Sequence, residues 1–113
     1  MDERLLRGCE LFNEERFFEA HEELEALWTA CRGERRLFLQ GLIHLAVGFH
    51  HWRNGNLAGA SRQLRKGLRK IAGYLPTCEG IDTSRLSKEC VAALERIEDG
   101  EDLAAYPRIR LQS

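Results

Sequence analysis

Proline is scarce in this chain, with two residues in 113, and no stretch is low in complexity. With 43% hydrophobic and 31% charged residues, that composition excludes a disordered linker and fits one globular domain, read here as residues 1–113. An excess of charge is also missing. The formal net charge is -1, so no global field draws the chain to nucleic acid or to an anionic membrane. Long hydrophobic runs are absent too. The longest, Leu37 to Phe49, is interrupted by Gln40 and His44 and is too short and polar to span a bilayer. The start, MDERLLRG, lacks the apolar core of a signal peptide, and the expected location is cytoplasmic. No C-x-x-C pair occurs among Cys9, Cys31, Cys78 and Cys90, which argues against a zinc knuckle or a redox dithiol. Cys9 and Cys90 fall on apolar helix positions and read as buried thiols acting as small hydrophobes.

What is present is helical periodicity. The apolar spacing predicts an all-α fold, a compact antiparallel array of about five helices with an extended C-terminal tail. The helices run from about Asp2 to Phe12, Arg16 to Cys31, Glu34 to Arg53, Leu57 to Leu75, and Asp82 or Thr83 to Glu98. The third is apolar on nearly all sides and reads as the buried central helix. Gly41 and Gly48 lie on one face of it, and glycine costs about 1 kcal/mol against alanine inside a helix, so another helix is expected to approach closely there. The core face of the fourth helix is expected to hold Leu57, Leu64, Leu68, Ile71 and Leu75. A shift of 40 residues aligns Phe17 with Leu57, Ala20 with Ala60, Leu24 with Leu64 and Trp28 with Leu68, a weak echo of two helical hairpins. The tail from Tyr106 to Leu111 alternates apolar and basic residues and should lie extended against the domain.

The second helix carries the most pointed chemistry. Phe17, His21, Leu24 and Trp28 share a face, with Glu25 one turn after His21. An imidazole, a carboxylate and an indole can therefore gather near an apolar surface as a buried cluster, where a polar group without a partner costs about 1–3 kcal/mol. On the third helix, Gln40, His44 and His51 form a stripe with His50 beside it. Antiparallel packing of the two helices brings His44 or His51 toward His21 and Glu25. Such a set can hold Zn²⁺, Fe²⁺ or another divalent transition metal, or run metal-free acid–base chemistry. It can equally be a structural network with Trp28 packed over His21 and Glu25. The string from His21 to Glu25 superficially matches H-E-x-x-H, but Glu25 replaces the second histidine, so a zincin is rejected. The Glu-x-x-His pair of ferritin-like sites is absent as well.

At these residues the chain resembles a known family. The residues are Leu11-Phe12-Asn13, then Phe17-Phe18-Glu19-Ala20-His21-Glu22, Leu24-Glu25 and Trp28. Further matches are Phe38 to Ile43, His50 or His51, and Gly55-Asn56 followed by Gly59-Ala60. The pattern is similar to an uncharacterised bacterial and archaeal family, domain of unknown function 309, whose hallmark is His-x-x-x-Glu-x-x-Trp or Tyr. The resemblance implies a helical fold and no established activity. It also implies a suggested metal site, mapping here onto His21 and Glu25. The family often has glutamine where this chain has His44, which makes His51 or His50 the better third ligand and leaves Trp28, Gln40 and His44 around the site.

Charge is patterned. Glu10, Glu14, Glu15, Glu19, Glu22, Glu23 and Glu25 make the second-helix region acidic, and Arg62, Arg65, Lys66, Arg69 and Lys70 make one face of the fourth helix basic. The basic stripe lacks the interleaved aromatics of a nucleic-acid surface. It reads as a solvated face complementing the acidic helix, within the chain or across a homodimer or protein partner. The leading functional expectation is a small metal-binding protein, hydrolase-like if it is an enzyme. The alternative is a non-enzymatic helical-hairpin interaction domain, supported by the lack of a nucleophile–base set or a phosphate-binding loop. A nucleic-acid adaptor stands behind both.

Overall fold

The fold is taken from a computed structural model that describes residues 1–112. Five α-helices account for most of it: α1 Glu3–Asn13, α2 Phe17–Ala30, α3 Arg35–Arg53, α4 Leu57–Ile71 and α5 Thr83–Glu98. The expected all-α class and helix number hold, with ends moved by a residue or so except in α4. That helix stops at Ile71 and tightens into a 3₁₀ turn, Ala72–Tyr74. The cause is Pro76, which forces Leu75 into extended backbone at φ -90 and ψ 153. Leu75, expected in the core, is therefore left exposed, and Leu57, also expected there, is exposed at the first position of α4, while Leu64 and Ile71 are buried. Helix starts carry side-chain caps where the chain supplies a short polar residue. Asp2 accepts from the Arg4 and Leu5 amides, Asn56 from Gly59 and Asp82 from Arg85. Among the described residues, no helix is long and apolar enough to cross a membrane.

Packing pairs establish that neighbouring helices run antiparallel. Leu24 of α2 lies against Gly8 of α1, Phe17 against Phe49 of α3, and the Arg36 guanidinium over Trp28. Between α3 and α4, Gly41 meets Ile71 and Gly48 meets Leu64. Ser61 in the first turns of α4 and Tyr74 beyond its end bond to Glu98 and Thr83 of α5. A Cβ on Gly41 would come within 2.6 Å of Ile71 Cγ2, and one on Gly67 within 2.9 Å of the Gly41 carbonyl oxygen. This is the close helix approach that the glycine stripe predicts. Central α3 buries Phe38, Leu39, Leu42, Leu45, Ala46 and Phe49.

The echo at a shift of 40 residues has a structural basis. Gly8 packs on Leu24 in the α1–α2 hairpin, and Gly48 packs on Leu64 in the α3–α4 hairpin. Both connecting turns close alike. The Glu15 and Gly55 amides bond to the Phe12 and Trp52 carbonyls at 3.0 Å, and the Arg16 and Asn56 amides bond to Leu11 and His51 at 2.9 Å. Positive φ falls at the same place in each turn, 63° at Glu15 and 78° at Gly55. Between the fourth and fifth helices, where no element is expected, lies a small hairpin, β1 Thr77–Cys78 against β2 Ile81–Asp82. Its turn places Glu79 and Gly80 at positive φ, as a two-residue hairpin turn demands.

The tail lies extended against the domain, as the alternation predicts. Asn13 exchanges two hydrogen bonds with the Ile109 backbone at 2.7 and 2.8 Å, and Ile109 is buried. The Asp82 amide donates to the Arg110 carbonyl, and Leu111 bridges Ile81. Tyr106 joins Phe17, Phe49 and Trp52 in an aromatic cluster. Cys9 and Cys90 are buried and unpaired, and burial pushes the Cys9 thiol up to about 12, so both act as apolar filler.

Candidate functional site

His21 and Glu25 meet as their spacing predicts, with Nε2 2.8 Å from the carboxylate. The pair is not buried, however. The His21 side chain is 23% exposed and that of Glu25 54%. Leu24 takes the inward position on this turn, so the residue after it, rotated by about 100°, points to solvent. Trp28 does not pack over the pair either. Seven residues of helix, about 10 Å of rise, separate it from His21. Its ring lies under Arg36 instead, 4.1 Å from the guanidinium carbon, and the same guanidinium donates to the Trp28 and Cys31 carbonyls at the end of α2.

The other nitrogen of His21 is unusual. Nδ1 is shielded from solvent, and it is the one buried side-chain polar atom among the described residues without a hydrogen-bond partner. With Nε2–H donated to Glu25, Nδ1 is left as a bare acceptor. Phe18 stands beside it, with ring centroids 5.6 Å from His21 and 5.3 Å from His50. These three residues and Val47 line a small pocket of about 120 Å³. The Asn54 side-chain amide contacts His50 Nε2 at 3.1 Å and orients that ring.

The histidines of α3 therefore separate. His50 is the one that shares a pocket with His21. His51 is its neighbour, with ring centroids 6.2 Å apart, and does not line that pocket. His44 turns to α4, where Nδ1 contacts Gln63 Oε1 at 2.7 Å. Burial, more than the nearby Lys70 and Lys66, holds its pKa below the usual imidazole range. Gln40 accepts from Lys70 Nζ at 2.8 Å, away from His21. Residues adjacent in the α3 stripe thus serve different partners, because α3 is covered by α2 on one side and α4 on the other. Among the described residues, no group of three or more His, Cys, Asp or Glu side chains is gathered as a metal site. Phe18, half exposed between the two imidazoles, is the site residue that periodicity missed. Its only signal is its place three residues before His21.

The acidic and basic helices do not complement each other within the chain. Glu19 and Glu14 pair with Arg16, and Glu23 lies 3.9 Å from Arg4. On α4, Arg65 is bound by Glu98 of α5, while Arg62, Lys66, Arg69 and Lys70 have no ion-pair partner among the described residues. The reason is topological: α4 packs between α3 and α5, not beside α2.

Five antiparallel helices, built as two similar hairpins plus a fifth helix and a docked tail, define a small helical module with a histidine–carboxylate pair on its second helix. The chain belongs to the family described as domain of unknown function DUF309, whose sequence profile matches residues 5–63. That stretch runs from α1 into α4 and contains His21, Glu25, Trp28 and every histidine of α3. The chain is also 34% identical over 98 residues to the uncharacterized protein YpuF of Bacillus subtilis (strain 168). The match covers 84% of this chain and 55% of the relative, so the chain spans about half the length of the curated relative it matches.

Proposed function

We propose that the His21 end of the molecule is a binding site for a divalent transition metal, with His21 Nδ1 as the anchoring donor. The observation that carries this reading is the buried Nδ1 without a partner on a ring whose other nitrogen is tied to Glu25. Ligating histidines commonly donate their second ring nitrogen to a carboxylate, which fixes the tautomer and raises the basicity of the free nitrogen. Glu25 then orients the imidazole rather than ligating directly. His50, across the small pocket, supplies the second donor, and His51 lies one residue further along α3. Zn²⁺ and Fe²⁺ suit imidazole donors. A metal held there would lower the pKa of a coordinated water toward about 7, the basis of a hydrolase-like activity.

The test is metal content of the untagged protein after equilibration with Zn²⁺ and desalting. The expected result is about one ion per chain at the affinities usual for imidazole sites, lost in His21→Ala and reduced in His50→Ala. Sub-stoichiometric metal that His21→Ala leaves unchanged overturns the reading. The exposure of Phe18, 51%, favours a second reading, a metal-free interaction domain in which it is a contact residue. On that reading Phe18→Ser abolishes partner binding while metal content stays at background in every variant.

A further inference from the structure

At the far end of α2 from His21, an open cleft of about 750 Å³ lies between the start of α3 and the end of α4. Its volume is in the range of small-molecule sites. Three cations line it, Arg36, Arg69 and Lys70, against one carboxylate, the exposed Glu34. None of the three has an ion-pair partner among the described residues, and Lys70 is held only by the neutral Gln40 amide. Lys70 also faces His44, whose pKa it helps to hold down together with Lys66 outside the cleft. Three cations in one cleft without an ion-pair partner suit an oxyanion carrying more than one charge.

The cleft also has flat and apolar surface. Arg36 lies over the Trp28 indole, so the inner face of its guanidinium is occupied while the residue still lines the cleft. A guanidinium held on an indole is a platform on which a nucleobase can stack. Leu37, 47% exposed, and the Tyr74 ring complete the apolar part. The aromatics missing from the α4 stripe in sequence are thus supplied by α2 and by the turn after α4.

The geometry points to a site for a nucleoside phosphate, with the phosphates on Arg69 and Lys70 and the base on the Arg36–Trp28 stack. The ligand is a free mononucleotide or the end of a single strand, which share this chemistry. Calorimetric titration of the intact protein with ADP, pyrophosphate, ribose 5-phosphate and a short single-stranded oligonucleotide tests it. ADP is expected to bind saturably below about 1 mM and to weaken with added salt. Arg69→Gln and Lys70→Gln should each lower its affinity about tenfold, an effect of one charge-assisted contact. Arg62→Gln, a free cation of the same helix outside the cleft, should change it by less than about twofold if specific contacts rather than the screened general field dominate. Arg36→Lys keeps the charge and loses the plane, so ADP should weaken while pyrophosphate is unaffected. An oligonucleotide that outcompetes ADP and still depends on Arg69 and Lys70 supports the site and assigns the ligand to single strands. Lack of saturable binding of ADP and of the oligonucleotide overturns the proposal. So does Arg62→Gln weakening binding as much as Arg69→Gln, or ribose 5-phosphate binding as tightly as ADP. None of these readouts involves metal, so the outcome is independent of the His21 site.

Discussion

The two helical hairpins are alike where their helices meet most closely and unlike elsewhere. Gly8, Ala20 and Leu24 of the first correspond to Gly48, Ala60 and Leu64 of the second, all buried, with each glycine packed on its leucine. At the surface the correspondence ends. His21 and Glu25 stand where the second hairpin has Ser61 and Arg65, and those two are both engaged by Glu98 of α5. Trp28 stands where the second hairpin has Leu68. The shared positions are those that let two helices meet at short range, while the differing positions carry chemistry. The His-x-x-x-Glu-x-x-Trp string is therefore not one site. Its histidine lines the Phe18–His50 pocket with Glu25 paired to it, and its tryptophan lines the cationic cleft, seven residues or about 10 Å beyond His21.

The sharpest break between the hairpins lies at positions 9 and 49. Phe49→Ala removes a ring from the Phe12, Phe17 and Tyr106 cluster and should cost about 3–5 kcal/mol, read as a fall in the urea midpoint. Cys9→Ala, its counterpart in the first hairpin, deletes one sulfur atom and should cost about 1 kcal/mol. Next are the matched glycines. A Cβ at Gly8 or at Gly48 would sit 2.8 Å from the facing leucine, so each alanine variant should lose about 1–3 kcal/mol. Values for the two that differ by more than about 1 kcal/mol would break the equivalence of the hairpins, being larger than the usual error of additivity.

Replacing the pair by its second-hairpin counterparts, His21→Ser with Glu25→Arg, should cost less than about 1 kcal/mol, because Glu25 is more than half exposed and solvent screens the pair. The same double variant should lose bound metal, so stability and binding separate. A stability loss of several kcal/mol would instead make the pair a folding device.

The smallest effect is a pH dependence centred on His44. Its folded pKa is held below the usual imidazole range, chiefly by burial, so protonation favours the unfolded chain. Its contribution to stability is complete above about pH 6.5 and is lost as the pH falls through the folded value. His44→Gln should flatten the denaturation midpoint between pH 7 and 5 relative to wild type. Lys70→Gln should raise the His44 pKa slightly, seen by NMR titration, and so link the cleft to this histidine.

Much of the fold was legible because helices are local. Leu86, Cys90, Leu94 and Ile97 repeat at helical spacing and are buried, and Asn54-Gly55-Asn56 ends α3 as turn residues do. The β1–β2 hairpin was not legible, because Glu79 in a left-handed conformation carries no turn signal. The contact between His21 and Glu25 could be read from their spacing, since one helical turn separates them. Its exposure could not, since the helix face is divided among α1, α3 and solvent only when the neighbours are in place. For the same reason Gln40 and His44 of one stripe, and His50 beside it, answer to three different partners.

The chain's own sequence determined the five helices, their short connections, the close α3–α4 approach at Gly41 and Gly48, and the pairing of His21 with Glu25. Each rests on interactions within a few residues or on the volume of a missing side chain. Tertiary structure alone decided that Trp28 leaves the pair for Arg36, that His50 rather than His44 or His51 shares the pocket with His21, and that three cations from two helices face one cleft. Those outcomes depend on which helix covers which face, and packing sets that through contacts far apart along the chain.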